Sequence, residues 1–180
     1  MGYKRLFIFV EGEDDRKFFD KIILPKIQRK YNFVRTIRYA TLKKEKIVNF
    51  LKSIKSMDAE YIFVADINSS PCVTDKKRTI ENKFKNIDEQ RIIVVIMEIE
   101  SWYLAGLDDE TSRKLGIHPY NATDNITKEQ FNRLIPKRYG SRIDFMSEIL
   151  KNFSIETAKQ KNRSFKYFIE KYNCVFENDM

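Results

Sequence analysis

Three groups of acidic residues in this chain each follow an apolar run. Glu11 comes after Leu6-Phe7-Ile8-Phe9-Val10, with Glu13, Asp14 and Asp15 close behind. Asp66 comes after Tyr61-Ile62-Phe63-Val64-Ala65, and Glu98 and Glu100 come after the run 91–97. Continuous apolar runs of this length predict strands buried on both faces, as in a parallel sheet. The carboxyl ends of parallel strands share one edge, where open α/β sheets bind ligands. Carboxylates crowded there repel one another until a cation neutralises them. Mg²⁺ suits such a set, because it takes hard oxygen donors and keeps waters for chemistry. Singly, Glu11-Gly12 also reads as a turn, the acids at 13–15 as charges offsetting a helix dipole, and Asp66 as a cap. Recurrence at three equivalent positions is what points to a site.

A basic block complements these acids. Residues 21–55 hold eleven Lys or Arg against the single acid Glu45, and the 180-residue chain carries a net charge of +8. Such cations hold backbone phosphates while carboxylates hold metal. The candidate nucleic-acid-binding residues are Lys43, Lys44 and Lys46 in that block, and Lys76, Lys77 and Arg78 after Asp66. The same side chains also read as solvated helix faces.

Other chemistries are excluded or weak. Cys72 and Cys174 lie far apart and His118 is the sole histidine, which excludes a Cys/His zinc site and a disulfide scaffold. His118 reads as a surface loop residue, and Cys72 lacks a second Cys or His to make it a nucleophile. The five glycines include no Gly-x-x-x-x-Gly-Lys-Ser/Thr, so no phosphate loop of that kind is expected. No apolar run approaches bilayer-spanning length, and no secretory signal is recognisable. A cytoplasmic protein with no membrane partner is the expectation.

The elements that must position the acids follow from periodicity. Strands are predicted at 6–10, 33–39, 61–65 and 91–97. They alternate with helical patterns at 14–30, broken near Pro25, at 44–56 and at 76–86, and Trp102-Tyr103-Leu104 opens a further helix as core. This order predicts an α/β fold, a parallel sheet flanked by helices with right-handed crossovers. After Asp108 the character changes to a loop at 116–125 and helical patterns over 127–172. The expected division is an α/β domain at 1–108 and a helical C-terminal extension at 109–180 packed on it.

Glu11-Gly12-Glu13-Asp14-Asp15 after one strand and Asp66-Ile67-Asn68 after another resemble the Toprim domain of topoisomerases, primases and OLD-type nucleases. That domain carries a Glu-Gly motif and a later Asp-x-Asp. Glu98-Ile99-Glu100-Ser101-Trp102-Tyr103-Leu104-Ala105-Gly106 resembles a small-protein branch related to the OLD nucleases, as does Asn162-Arg163-Ser164-Phe165-Lys166-Tyr167-Phe168-Ile169. The resemblance implies a Rossmann-like Toprim fold and a Mg²⁺-dependent nuclease or related phosphodiester-transfer enzyme acting on DNA or RNA. Mn²⁺ is the natural substitute ion. By the resemblance, Glu11 is a metal ligand and acid/base residue, Asp66 a principal ligand, and Asp15 a second carboxylate aimed at the same mouth. Asn68 stands where the pattern has Asp. Its amide oxygen can ligate Mg²⁺ but brings no charge, and Glu98 or Glu100 would supply what is missing. The alternative is a catalytically weak Toprim-like nucleic-acid-binding module. A further alternative is one subunit of a two-protein phage-defence system with a separate ATPase, since OLD nucleases carry an ATPase module and this chain does not.

Overall fold

The computed structural model describes residues 3–85 and 87–172. Asn86, which ends one predicted helix, and 173–180, which end the expected extension, lie outside the described residues. By contact the chain divides into two compact units between Val94 and Val95, whereas the sequence reading placed the boundary between 108 and 109.

The first unit alternates strand and helix. Its elements are β1 (Arg5–Val10), α1 (Glu13–Phe18), α2 (Leu24–Ile27), β2 (Phe33–Arg38), α3 (Lys44–Ser56), β3 (Glu60–Asp66), α4 (Val73–Lys83) and β4 (Ile92–Val95), whose last residue falls past the boundary. The strands form one parallel sheet in the order β2-β1-β3-β4. In register, β1 sets Arg5 opposite Phe33 and Val10 opposite Arg38 on one side. On its other side it sets Leu6 opposite Glu60 and Phe9 opposite Phe63.

Ile47, Leu51 and Ile54 recur on one face of α3 and join Ile80 of α4 against Phe9, Phe63 and Val94 of the sheet. Burying a side chain of this size contributes about 1.5–3 kcal/mol. Strand residues of the other parity, Leu6, Ile8, Ile62 and Val64, are buried as well, which is why these runs are apolar throughout rather than alternating. β2 lies at the sheet edge, and of its six residues all but Ile37 are exposed or partly so, hence its weaker pattern. Pro25 lacks an amide hydrogen for the helical ladder. The chain there runs from α1 through a π-helical turn, Phe19–Ile23, into α2.

β4 is shorter than the predicted 91–97. It ends at Val95, and Met97 adopts a left-handed backbone at φ 60°, through which no strand continues.

The second unit is helical: α5 (Ile99–Ala105), α6 (Asp109–Leu115), α7 (Lys128–Leu134), α8 (Arg142–Lys151), α9 (Ile155–Lys161) and α10 (Arg163–Lys171). Asp108, Thr127, Ser141, Ser154 and Asn162 each accept a hydrogen bond from a first-turn amide. Caps of this kind contribute about 1 kcal/mol apiece. Trp102 and Tyr103 are fully buried core residues. Asn162 is the hub of a buried polar network. Its Nδ2 donates to Ser101 Oγ (3.3 Å) and Thr123 Oγ1 (3.2 Å), and its Oδ1 accepts from Ser164 Oγ (2.8 Å) and Phe165 N (3.0 Å). Ser164 Oγ in turn accepts from Trp102 Nε1 at 2.8 Å. Among the described residues no helix is long and apolar enough to cross a membrane.

Candidate functional site

The strand order places β2 and β3 on opposite sides of β1, so the direction of winding reverses between β1 and β3. At such a switch point the crossover helices leave to opposite faces and open a crevice at the carboxyl ends of the two strands. Glu11 directly follows β1 and Asp66 is the last residue of β3. Two of the expected acids therefore flank this crevice.

Asp15 joins them through the turn into α1. Its Oδ2 accepts from Gly12 N at 3.1 Å, and its side chain is only 5% exposed. A Cβ at position 12 would stand 3.3 Å from that same oxygen, so glycine leaves room for the carboxylate to fold back over the helix start. The Glu-Gly pair thus has a local reason: the glycine seats the acid three residues on.

Tyr39, one residue beyond β2, reaches Glu11 from the neighbouring strand. Its amide continues the ladder by donating to Val10 O at 2.9 Å. Its ring stacks on Phe63, centroids 4.5 Å apart, and its hydroxyl donates to Glu11 Oε2 at 3.4 Å. Burial pushes the Tyr39 phenol far above its ordinary value. The charges of Glu11, Asp15 and Asp66, and the hydrogen bond to Glu11, push the same way. The hydroxyl stays protonated and is a donor to Glu11. Sequence reasoning missed Tyr39 because it searched strand ends for acids only. The signal was position: Tyr39 sits at the carboxyl end of the strand beside Glu11.

Asn68 is exposed and left-handed, at φ 50°. Asn adopts that conformation more readily than most residues, which gives the amide a backbone reason at this position.

Glu98 and Glu100 belong to the second unit and are engaged there. Glu98 does not end a strand; it precedes α5, and its Oε2 accepts from Lys128 N at 2.6 Å. Glu100 is 3% exposed and bonds Arg142 Nη2 at 2.5 Å. Burial raises its carboxyl above the ordinary value, against the opposing pull of Arg142.

The candidate cations also separate. Lys43, Lys44 and Lys46, at the start of α3, are exposed. Lys76 is half-buried and lines a cavity with Glu11 and Asn68. Lys77 is buried, and Arg78 is exposed and paired with Asp75 Oδ1 at 3.3 Å.

Glu11, Asp15 and Asp66 supply hard oxygen donors with concentrated charge, a set whose chemistry fits Mg²⁺ or Mn²⁺. Among the described residues no three His, Cys, Asp or Glu side chains are gathered as a ready-made metal-ligand group, so an ion would have to draw these carboxylates inward. Comparison with protein-family models, with curated proteins and with solved structures finds no match to the chain.

Proposed function

We propose that this chain is a Mg²⁺-dependent nuclease or related phosphodiester-transfer enzyme of Toprim type, acting on DNA or RNA. One observation carries the reading: Glu11 follows β1 and Asp66 ends β3, so both acids stand at the carboxyl ends of the two strands that flank the switch point of a parallel sheet. Glu11 and Asp66 would hold the ion with Asp15 in support. When bound, it supplies an activated water and stabilises charge on the leaving oxygen. Tyr39 orients Glu11 through its hydrogen bond, and Gly12 seats Asp15.

A second reading, a binding module with weakened chemistry, is favoured by Asn68, an exposed left-handed amide where the motif has a carboxylate.

Thermal melts test the metal. Millimolar Mg²⁺ or Mn²⁺ should raise the melting temperature by mass action. Asp66→Ala should abolish that gain, and Asn68→Asp, which suits a left-handed backbone, should enlarge it. Metal-stimulated cleavage of single- or double-stranded DNA or RNA should vanish in Glu11→Gln. Melting curves indifferent to metal would overturn the ion-binding role of these acids. A metal response without cleavage would select the binding module.

A further inference from the structure

Lys76, Thr79, Ile80 and Lys83 fall on one stripe of α4, at the i, i+3, i+4 and i+7 spacing that brings side chains to a common helix face. A stripe turned toward a sheet ordinarily carries apolar residues. Here all four line a cavity of about 150 Å³ that also includes Glu11, at the carboxyl end of β1, and Asn68, in the loop after β3. Phe63 and Phe84 close its floor, both nearly fully buried, with ring centroids 5.5 Å apart. Lys83 Nζ lies 5.2 Å from the Phe84 ring centroid. Neither Lys76 nor Lys83 has a carboxylate partner among the described residues. Two ammonium groups and an amide therefore line the cavity, with the Glu11 carboxylate at its opposite wall and the Thr79 hydroxyl donating to Asp75 O at 2.9 Å.

We propose that this cavity seats one phosphoryl group, held by Lys76 and Lys83 with a hydrogen bond from the Asn68 amide, and that it is the phosphate subsite of the enzyme proposed above. The inference rests on that reading for its substrate. Its recognition chemistry, ammonium groups around a phosphate ester, stands on the cavity itself. Size limits the occupant, since a void of about 150 Å³ takes a benzene-sized molecule. One phosphoryl group fits and a whole nucleotide does not. The polynucleotide would run across the opening with a single phosphate dipping in. The exposed lysines of α3 would serve only as diffuse positive field.

Lysine acylation read by mass spectrometry tests this on the intact chain. A succinimidyl acetate reagent is applied with inorganic phosphate, with a 5′-mononucleotide, or with a short single-stranded DNA, each with and without Mg²⁺. Acylation of Lys76 and Lys83 should slow several-fold while Lys43, Lys44 and Lys46 react unchanged. Protection by inorganic phosphate or mononucleotide identifies a small phosphate as sufficient. Protection by the oligonucleotide alone assigns the group to a strand's backbone. In the salt dependence of oligonucleotide binding, Lys76→Gln and Lys83→Gln should each reduce the log–log slope by roughly 0.7. Equal protection of the α3 lysines, or none at Lys76 and Lys83, overturns the proposal. Cleavage with no footprint overturns the subsite alone. A footprint without metal-dependent cleavage supports the subsite and overturns the nuclease reading.

Discussion

At the scale of single residues, Glu100 shows how burial and pairing oppose each other. Its carboxyl is raised above the ordinary 4.5, first by burial, while Arg142 pulls it down. The folded chain thus holds this proton more tightly than the unfolded chain. Glu100 therefore favours folding most below about pH 4.5, and that contribution is lost as pH rises through the folded-state value. Glu100→Gln should flatten this part of the stability–pH profile measured by urea unfolding; an unaltered profile would remove Glu100 from the titration. Glu100→Ala should cost about 3 kcal/mol at neutral pH, toward the low end for breaking a buried pair because Arg142 retains some exposure.

At the scale of elements, α10 depends on a single amide. Asn162 caps that helix and also joins Ser101, Thr123 and Ser164. Asn162→Ala leaves several buried polar groups unmade and should cost on the order of 3 kcal/mol, measured as a lower urea midpoint. Neighbouring Arg163 is 85% exposed and pairs with Asp124, so Arg163→Ala should cost under about 1 kcal/mol. Equal losses in the two variants would refute the hub.

The contrast explains what could be read beforehand. β1 and β3 were legible because strands buried on both faces are apolar throughout, and α3 because Ile47, Leu51 and Ile54 keep helical spacing. The end of β4 was not, since the left-handed turn at Met97 leaves no mark in an apolar run. Glu11 and Asp66 were legible as acids at strand ends, and Asp15 as an acid in the first turn of the helix that follows β1. The seats of Glu98 and Glu100 were not, because they depend on Lys128 and Arg142, far away in sequence. The separation of Lys76 from Lys77 follows from helix phase: one faces the cavity, the other is buried.

At the scale of the molecule, the position of β1 between β2 and β3 has a kinetic consequence. Parallel neighbours come from distant stretches of chain, and their pairing must overcome loop-closure entropy before contacts form. Here the docking of β3 on β1 must also bring Asp66 toward Glu11 and Asp15 against their repulsion. Refolding from urea should therefore accelerate as NaCl rises and screens these charges, and Asp66→Asn should refold faster with less response to salt. A wild-type rate indifferent to salt would place the repulsion after the rate-limiting step. During synthesis, β1 emerges with two apolar faces and one edge that stays bare until β3 is made. Nascent chains stalled before Asp66 are the species in which this protein is most exposed to aggregation.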